Sequence, residues 1–186
     1  HGKTTVTAMI ATILTKAGLD PSYAIGSGMV AGLGLPGHFG RGEWFVGEGD
    51  EYVTDPGHDE TPRFLWQKPE ILVITNIDFD HPDVYPDMTA VVAAFKKLVS
   101  QSGTVISGSD APQSAALSGK SILVGANEAS QIHLKVPGHH NAVNAAMAAT
   151  AGTLAGVSRE QSMKALSQFG GAKRRFKKIG EREGIV

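Results

Sequence analysis

With 186 residues, 41% of them hydrophobic and 19% charged, the chain has enough apolar material for one well-buried domain and is not composed like a disordered segment. A formal net charge of −1 offers no electrostatic case for nucleic acid or an anionic membrane surface. No apolar run is long enough to span a bilayer, and the lack of cysteine excludes disulfides, thiolate catalysis and Cys-based zinc sites.

The first expected element is a helix over 4–17, where Met9, Ile10, Ile13, Leu14 and Ala17 recur at helical spacing and Gly18 supplies a stop. "SYAIGS" (22–27) reads as a short strand and the glycine-rich stretch 28–42 as loop. "EWFVGE" (43–48) is a second strand that runs directly into acids. Residues 53–69 read as a surface loop. "ILVITNI" (71–77) is a continuous β-branched run, the pattern of a strand buried on both faces, and it too ends in acids. A helix is expected at about 88–100, with Val91, Val92, Phe95, Leu98 and Val99 on one face. "TVISG" (104–108), "SILVG" (121–125) and "QIHLKV" (131–136) read as further strands. Residues 140–155 form an alanine-rich helix, and Ser158 with Gln161 opens another through a capping box. Strands alternating with helices imply an α/β fold, a mainly parallel sheet covered by helices on both faces. The tail 170–186 is basic and glycine-punctuated, and reads as a linker leading towards another domain.

Four stretches carry candidate chemistry. "GKT" (2–4), placed directly before a helix, has the Gly, Lys and hydroxyl of a phosphate-binding loop, with a helix N-terminus behind them. Such a triplet also occurs by chance as a loop with a solvated lysine. In "VGEGDE" (46–51), Glu48 follows a strand at the edge where α/β sheets bind ligands and is placed to face Mg²⁺, although any single acid there is more often a solvated turn. In "TNIDFDHPDVY" (75–85), His81 stands among Asp78, Asp80 and Asp83; alone it reads as an ordinary surface histidine. In "PGHHNAVNAAMAA" (137–149), Asn141 and Asn144 share a helix face, and their amides suit the edge of an adenine ring. Helix capping explains Asn141 equally well, Asn144 less so.

Taken in order and spacing, "HGKTT", "EGDE", "TNIDFDHPDVY", "GHHNAVNAA" and "KRRF" resemble the central ATP-binding domain of the Mur ligases, a family of ATP-dependent amide-bond-forming enzymes of peptidoglycan precursor synthesis. The likeness covers nearly the whole chain. The family's loop reads G-T-x-G-K-[ST]-[ST], so residues 1–170 are expected to be the ATP-binding domain cut within that loop, and residues 171–186 the linker and start of a C-terminal domain. The resemblance implies a P-loop-type fold, ATP and Mg²⁺ as cofactors, and a bacterial cytoplasmic setting. Gly2, Lys3, Thr4 and Thr5 would cradle phosphates, with Lys3 on the β/γ-phosphates. Thr4 or Thr5, Glu48 and His81 would hold Mg²⁺, with His81 at a second metal; Asn141 and Asn144 would flank adenine, and Arg175 would reach the ATP phosphates. Lys3, Glu48 and His81 would be the catalytic set.

Within the family, "DEY" after Glu48, "DHPDVY" and "RRF" are most similar to the branch that joins L-alanine to UDP-N-acetylmuramate through an acyl-phosphate. The stretch between Glu48 and His81 is longer than that branch leads one to expect and closer to the ligase that attaches a recycled tripeptide, which remains the alternative. A third reading is a P-loop nucleotide-binding module without ligase activity, and a fourth a relative acting on folate. Several branches carry a carbamylated lysine near Lys96; the alanine-adding pattern has an aromatic there, for which Phe95 is the candidate, and Lys96 is not assigned. Neither nucleic acid nor membrane is expected as a partner, and the chain alone is expected to lack ligase activity.

Overall fold

The computed structural model describes residues 1–109, 113, 117 and 121–171. The expected linker and Arg175 lie outside them. In chain order the elements are α1 (Lys3–Lys16), β1 (Ser22–Ala24), β2 (Gly37–His38), β3 (Phe45–Gly47), β4 (Val53–Asp55), β5 (Asp59–Pro62), a 3₁₀ turn (Arg63–Trp66), β6 (Ile71–Ile74), α2 (Met88–Ser100), β7 (Thr104–Gly108), β8 (Ser121–Val124), α3 (Ala126–Ala129), α4 (His139–Leu154) and α5 (Arg159–Ser167). The strands form two separate three-stranded sheets, β2-β1-β3 and β6-β7-β8, and one hairpin, β4-β5. Pairing is parallel between β1 and β3 and throughout β6-β7-β8; β2 runs antiparallel to β1. The α/β expectation therefore holds.

Helices cover both faces of the β6-β7-β8 sheet, and β7 shows how. Ile106 belongs to the core that holds α1, α4 and α5, whereas its neighbour Val105 belongs to the cluster under α2. Adjacent residues of one strand point to opposite faces, so the two cores lie on opposite sides of the sheet. The larger core is dense in small residues. Ala8 and Ala11 of α1 and Ala145, Ala148 and Ala149 of α4 are buried, which lets the two helix backbones approach closely. Gly152 marks the tightest point, since a Cβ there would lie 2.9 Å from Ile13 Cγ2 and 3.0 Å from Ser162 Oγ. In the smaller core Val91 and Leu98 are buried, and the Phe95 ring packs on Phe64 with centroids 5.2 Å apart. Lys96 is exposed on the other side of α2. The expected capping box is present: the Ser158 hydroxyl accepts from Gln161 N–H and the Gln161 amide oxygen accepts from Ser158 N–H, each at 3.2 Å.

Three local expectations are corrected. Within 28–42, expected as loop, Gly37–His38 form β2 because their backbone finds a ladder partner in β1. Residues 131–136 form no strand; Ile132 turns into the core beside α3. Alternation in "QIHLKV" marks which side chains face inward, and a strand also needs a ladder partner. Residues 53–69 are not an irregular loop, because they build the β4-β5 hairpin and the 3₁₀ turn. The hairpin closes at Asp55-Pro56-Gly57-His58, with Gly57 at φ 84° and His58 N–H donating to Asp55 O. Thr54 Oγ1 donates to Thr61 O across the pair and accepts from Trp66 Nε1. Pro-Gly is a turn signature, so the signal was present in the sequence.

Candidate nucleotide and metal site

The site forms where α1 begins and β3 and β6 end. Gly2 precedes α1 in the left-handed region, at φ 88°, which a residue without Cβ adopts at little cost. The turn is fastened to the end of β6: Thr75 Oγ1 donates to His1 O at 2.5 Å and the His1 amine donates to Asn76 Oδ1 at 2.6 Å. Asn144 closes it from behind, since a Cβ on Gly2 would lie 3.0 Å from Asn144 Oδ1. The first turn of α1 therefore points its free N–H groups and Lys3 at the sheet edge, where an anion is favoured.

Carboxylates from the loop after β3 face that turn. Glu48 accepts from the Thr4 hydroxyl at 3.1 Å through one oxygen and from Gly26 N–H at 2.5 Å through the other. Three residues on, Glu51 takes the Lys3 ammonium on one oxygen and stands 3.6 Å from His81 Nε2 with the other. Glu51, Asp80 and His81 each offer a ligand atom, and these lie within 4.8 Å of one another. Two carboxylates and an imidazole are a donor set suited to a divalent cation. Thr4 with Glu48 presents a second, adjacent pair of oxygens.

His81 is held firmly. Its backbone sits at φ 57°, a region uncommon for residues with a Cβ, and Asp80 Oδ1 accepts its N–H at 3.0 Å. The Tyr52 ring meets its imidazole edge-on with centroids 5.1 Å apart, while Tyr52 hydroxyl donates to Asp83 at 2.9 Å. Tyr85 hydroxyl donates to Glu51 O at 2.7 Å, tying the loop after β3 to the loop after β6. Burial pushes the Tyr85 phenol up to about 12, with the Glu51 and Asp50 charges adding to the effect.

Of the residues singled out from sequence, Gly2, Lys3, Thr4, Glu48, His81 and Asn144 meet at this edge. Thr5 lies beside them, half-buried in the first turn of α1. Asn141 does not join them: its Nδ2 donates to Pro137 O at 2.6 Å and holds the turn before α4. Glu51, Asp80, Tyr52 and Tyr85 were missed as site residues. Glu51, Asp80 and Tyr85 lie inside the candidate stretches and Tyr52 directly follows one, but nothing in their spacing says which acid of "EGDE" reaches Lys3.

No protein-family model matches the sequence. Over this whole chain, the UDP-N-acetylmuramate–L-alanine ligases of Renibacterium salmoninarum and Desulfitobacterium hafniense are 36% and 34% identical, across 219 and 217 aligned positions. The chain spans about half the length of these relatives, 45% and 46%. Both matched spans exceed its 186 residues, so the relatives carry additional residues within them. Among solved structures, the UDP-N-acetylmuramate:L-alanyl-γ-D-glutamyl-meso-diaminopimelate ligase of Neisseria meningitides superposes with a TM-score of 0.81 at 25% identity, over 94% of this chain and 65% of that one. UDP-N-acetylmuramate–alanine ligase of Thermotoga maritima gives 0.78 at 26%, over 94% and 44%. Along its whole length this protein is similar, in sequence and in fold, to one part of the Mur ligases.

Proposed function

We propose that this chain is the ATP- and Mg²⁺-binding part of an ATP-dependent ligase that joins L-alanine to UDP-N-acetylmuramate. The observation that carries the reading is the meeting of Lys3, Thr4, Glu48 and His81 where α1 begins and β3 and β6 end, although they come from three segments of the chain. A nucleoside triphosphate bound here would supply the phosphoryl group that activates the acid partner towards the amine. The chain's own residues bind and neutralise. Lys3 and the α1 N-terminus offer positive potential to phosphate oxygens, while Thr4 with Glu48 offers oxygens to one cation and Glu51, Asp80 and His81 offer a donor set to another. No side chain is required as a nucleophile, in keeping with a chain that has no cysteine. Asn144 is lodged behind Gly2 and borders the phosphate turn; its proposed adenine contact rests on the resemblance.

A second reading, attachment of a recycled peptide in place of L-alanine, is favoured by the β4-β5 hairpin, which accounts for the length between Glu48 and His81, and by the likeness to the Neisseria enzyme. The deciding experiment is phosphate release from ATP by the protein at its full genomic length, with UDP-N-acetylmuramate and either L-alanine or L-alanyl-γ-D-glutamyl-meso-diaminopimelate. Release with L-alanine alone supports the first reading, and release with the tripeptide alone supports the second. Release that needs neither amine rejects both in favour of a simple nucleotide hydrolase.

A further inference from the structure

The lysine offered to phosphate is already paired. One oxygen of Glu51 holds the Lys3 ammonium, which makes no other hydrogen bond among the described residues. The other Glu51 oxygen lies 3.6 Å from His81 Nε2, within the set of Glu51, Asp80 and His81 donors suited to a cation. Glu48, by contrast, is engaged by Thr4 and Gly26 and leaves Lys3 alone. A single carboxylate, that of Glu51, therefore serves both the lysine and the cation set. The two sides of the ion pair are not equally free. Tyr85 hydroxyl donates to Glu51 O at 2.7 Å, and the Glu51 side chain is 19% exposed. The Lys3 side chain is 41% exposed, on a flexible four-carbon stem at the first residue of α1.

We propose that Glu51 is a positioning residue for Lys3: it holds the ammonium while its carboxylate is free of metal, and releases it to phosphate when it binds a divalent cation. The inference rests on the nucleotide and metal reading above. While the pair is intact the lysine charge is neutralised, and a phosphate oxygen must compete with Glu51 for it. A carboxylate committed to a divalent ion is a poorer acceptor, and an ammonium left beside that ion faces two positive charges. Because Tyr85 ties down the Glu51 backbone, Lys3 is the partner that moves. Its stem can then carry the ammonium to an anion seated at the first turn of α1, where the helix N–H groups already favour one. Cation and nucleotide thus assist each other through a protein side chain, in addition to any direct contact between them. The coupling is reciprocal by linkage. It also keeps the metal-free protein weak for nucleotide, since the acids at the turn retain their charge while Lys3 is occupied.

Two measurements on the protein at its full genomic length test this. Acetylation of Lys3 by an N-hydroxysuccinimide ester, read by mass spectrometry, is followed with and without Mg²⁺ and with no nucleotide present. Mg²⁺ is expected to raise the Lys3 rate about three-fold or more, and to leave the exposed Lys16 and Lys96 unchanged. In Glu51→Gln the Lys3 rate should be high from the start and indifferent to Mg²⁺. Calorimetry then measures ADP binding in EDTA and in Mg²⁺. Glu51→Gln should bind metal-free ADP about three- to ten-fold more tightly than the parent. Asp80→Asn removes the same charge but not the partner of the lysine, and should gain less. In a Lys3→Ala background the two substitutions should have equal effects. A parent Lys3 rate indifferent to Mg²⁺, or equal gains from Glu51→Gln and Asp80→Asn with Lys3 present, would overturn the role of Glu51 alone when ADP still binds in Mg²⁺. Absence of ADP binding even in Mg²⁺ would overturn the nucleotide reading and this role with it.

Discussion

Replacing Glu48 separates its structural from its chemical contribution, because two substitutions remove different things. Its carboxylate accepts one hydrogen bond from Gly26 N–H and one from the Thr4 hydroxyl. A hydrogen bond to a charged acceptor contributes about 1.5–3 kcal/mol when buried. Glu48 is only half-buried and Gly26 is exposed, so water replaces much of what Glu48→Ala removes. The expected loss is about 1 kcal/mol, a fall in Tm of roughly 2–4 °C for a domain of this size. Glu48→Gln keeps an acceptor oxygen and should melt within a degree or two of the parent, by the same scaling. If the carboxylate holds a cation where charge develops, however, both substitutions should lower kcat of the proposed ligase reaction by about a hundred-fold or more. Thermal melting and steady-state phosphate release at a series of Mg²⁺ concentrations read the two effects separately. Near-normal kcat for Glu48→Gln at moderate Mg²⁺ would refute the metal role and leave "EGDE" as a solvated turn.

Asn144→Ala should raise the KM for ATP about ten-fold with a smaller change in kcat, as expected for a buried polar partner removed equally from ground and transition states; unchanged kinetics would detach it from the nucleotide. Gly152→Ala should cost about 1–3 kcal/mol in urea unfolding, since its Cβ meets Ile13 and Ser162 inside close-packed helices; a neutral result would mean α1 and α4 part freely. Tyr85 has its pKa raised above the unfolded value of a phenol, so its contribution to stability is complete below about pH 10 and is lost as pH rises towards about 12. Tm should therefore fall over that window and fall less steeply in Tyr85→Phe. Tyr23 and Tyr52, also shifted upward, leave part of the slope in place.

Local order in this protein is written in local sequence. The apolar periodicity of α1 and α2, the Ser158–Gln161 capping box and the β-branched run of β6 each state their conformation within a dozen residues, because helix and strand periods are properties of the backbone. The phosphate turn, the acids after β3 and the acids and histidine after β6 were legible in the same way, as residues at the ends of elements. The β4-β5 hairpin was legible too, through its Pro-Gly turn, but read as loop because each strand is short. What the sequence does not contain is partnership. That Glu51 takes Lys3 and stands by His81 while Glu48 turns to Thr4 and Gly26 depends on where β3 ends relative to α1, a relation between segments far apart in the chain. Asn141 and Asn144 share a helix face, yet one ties down Pro137 and the other lies behind Gly2, since only the second lies under the phosphate turn. Residues 131–136 alternate like a strand and make none, because a ladder exists only where a second backbone lies within hydrogen-bonding distance. Pattern determines which way a side chain points; the tertiary structure determines what it meets.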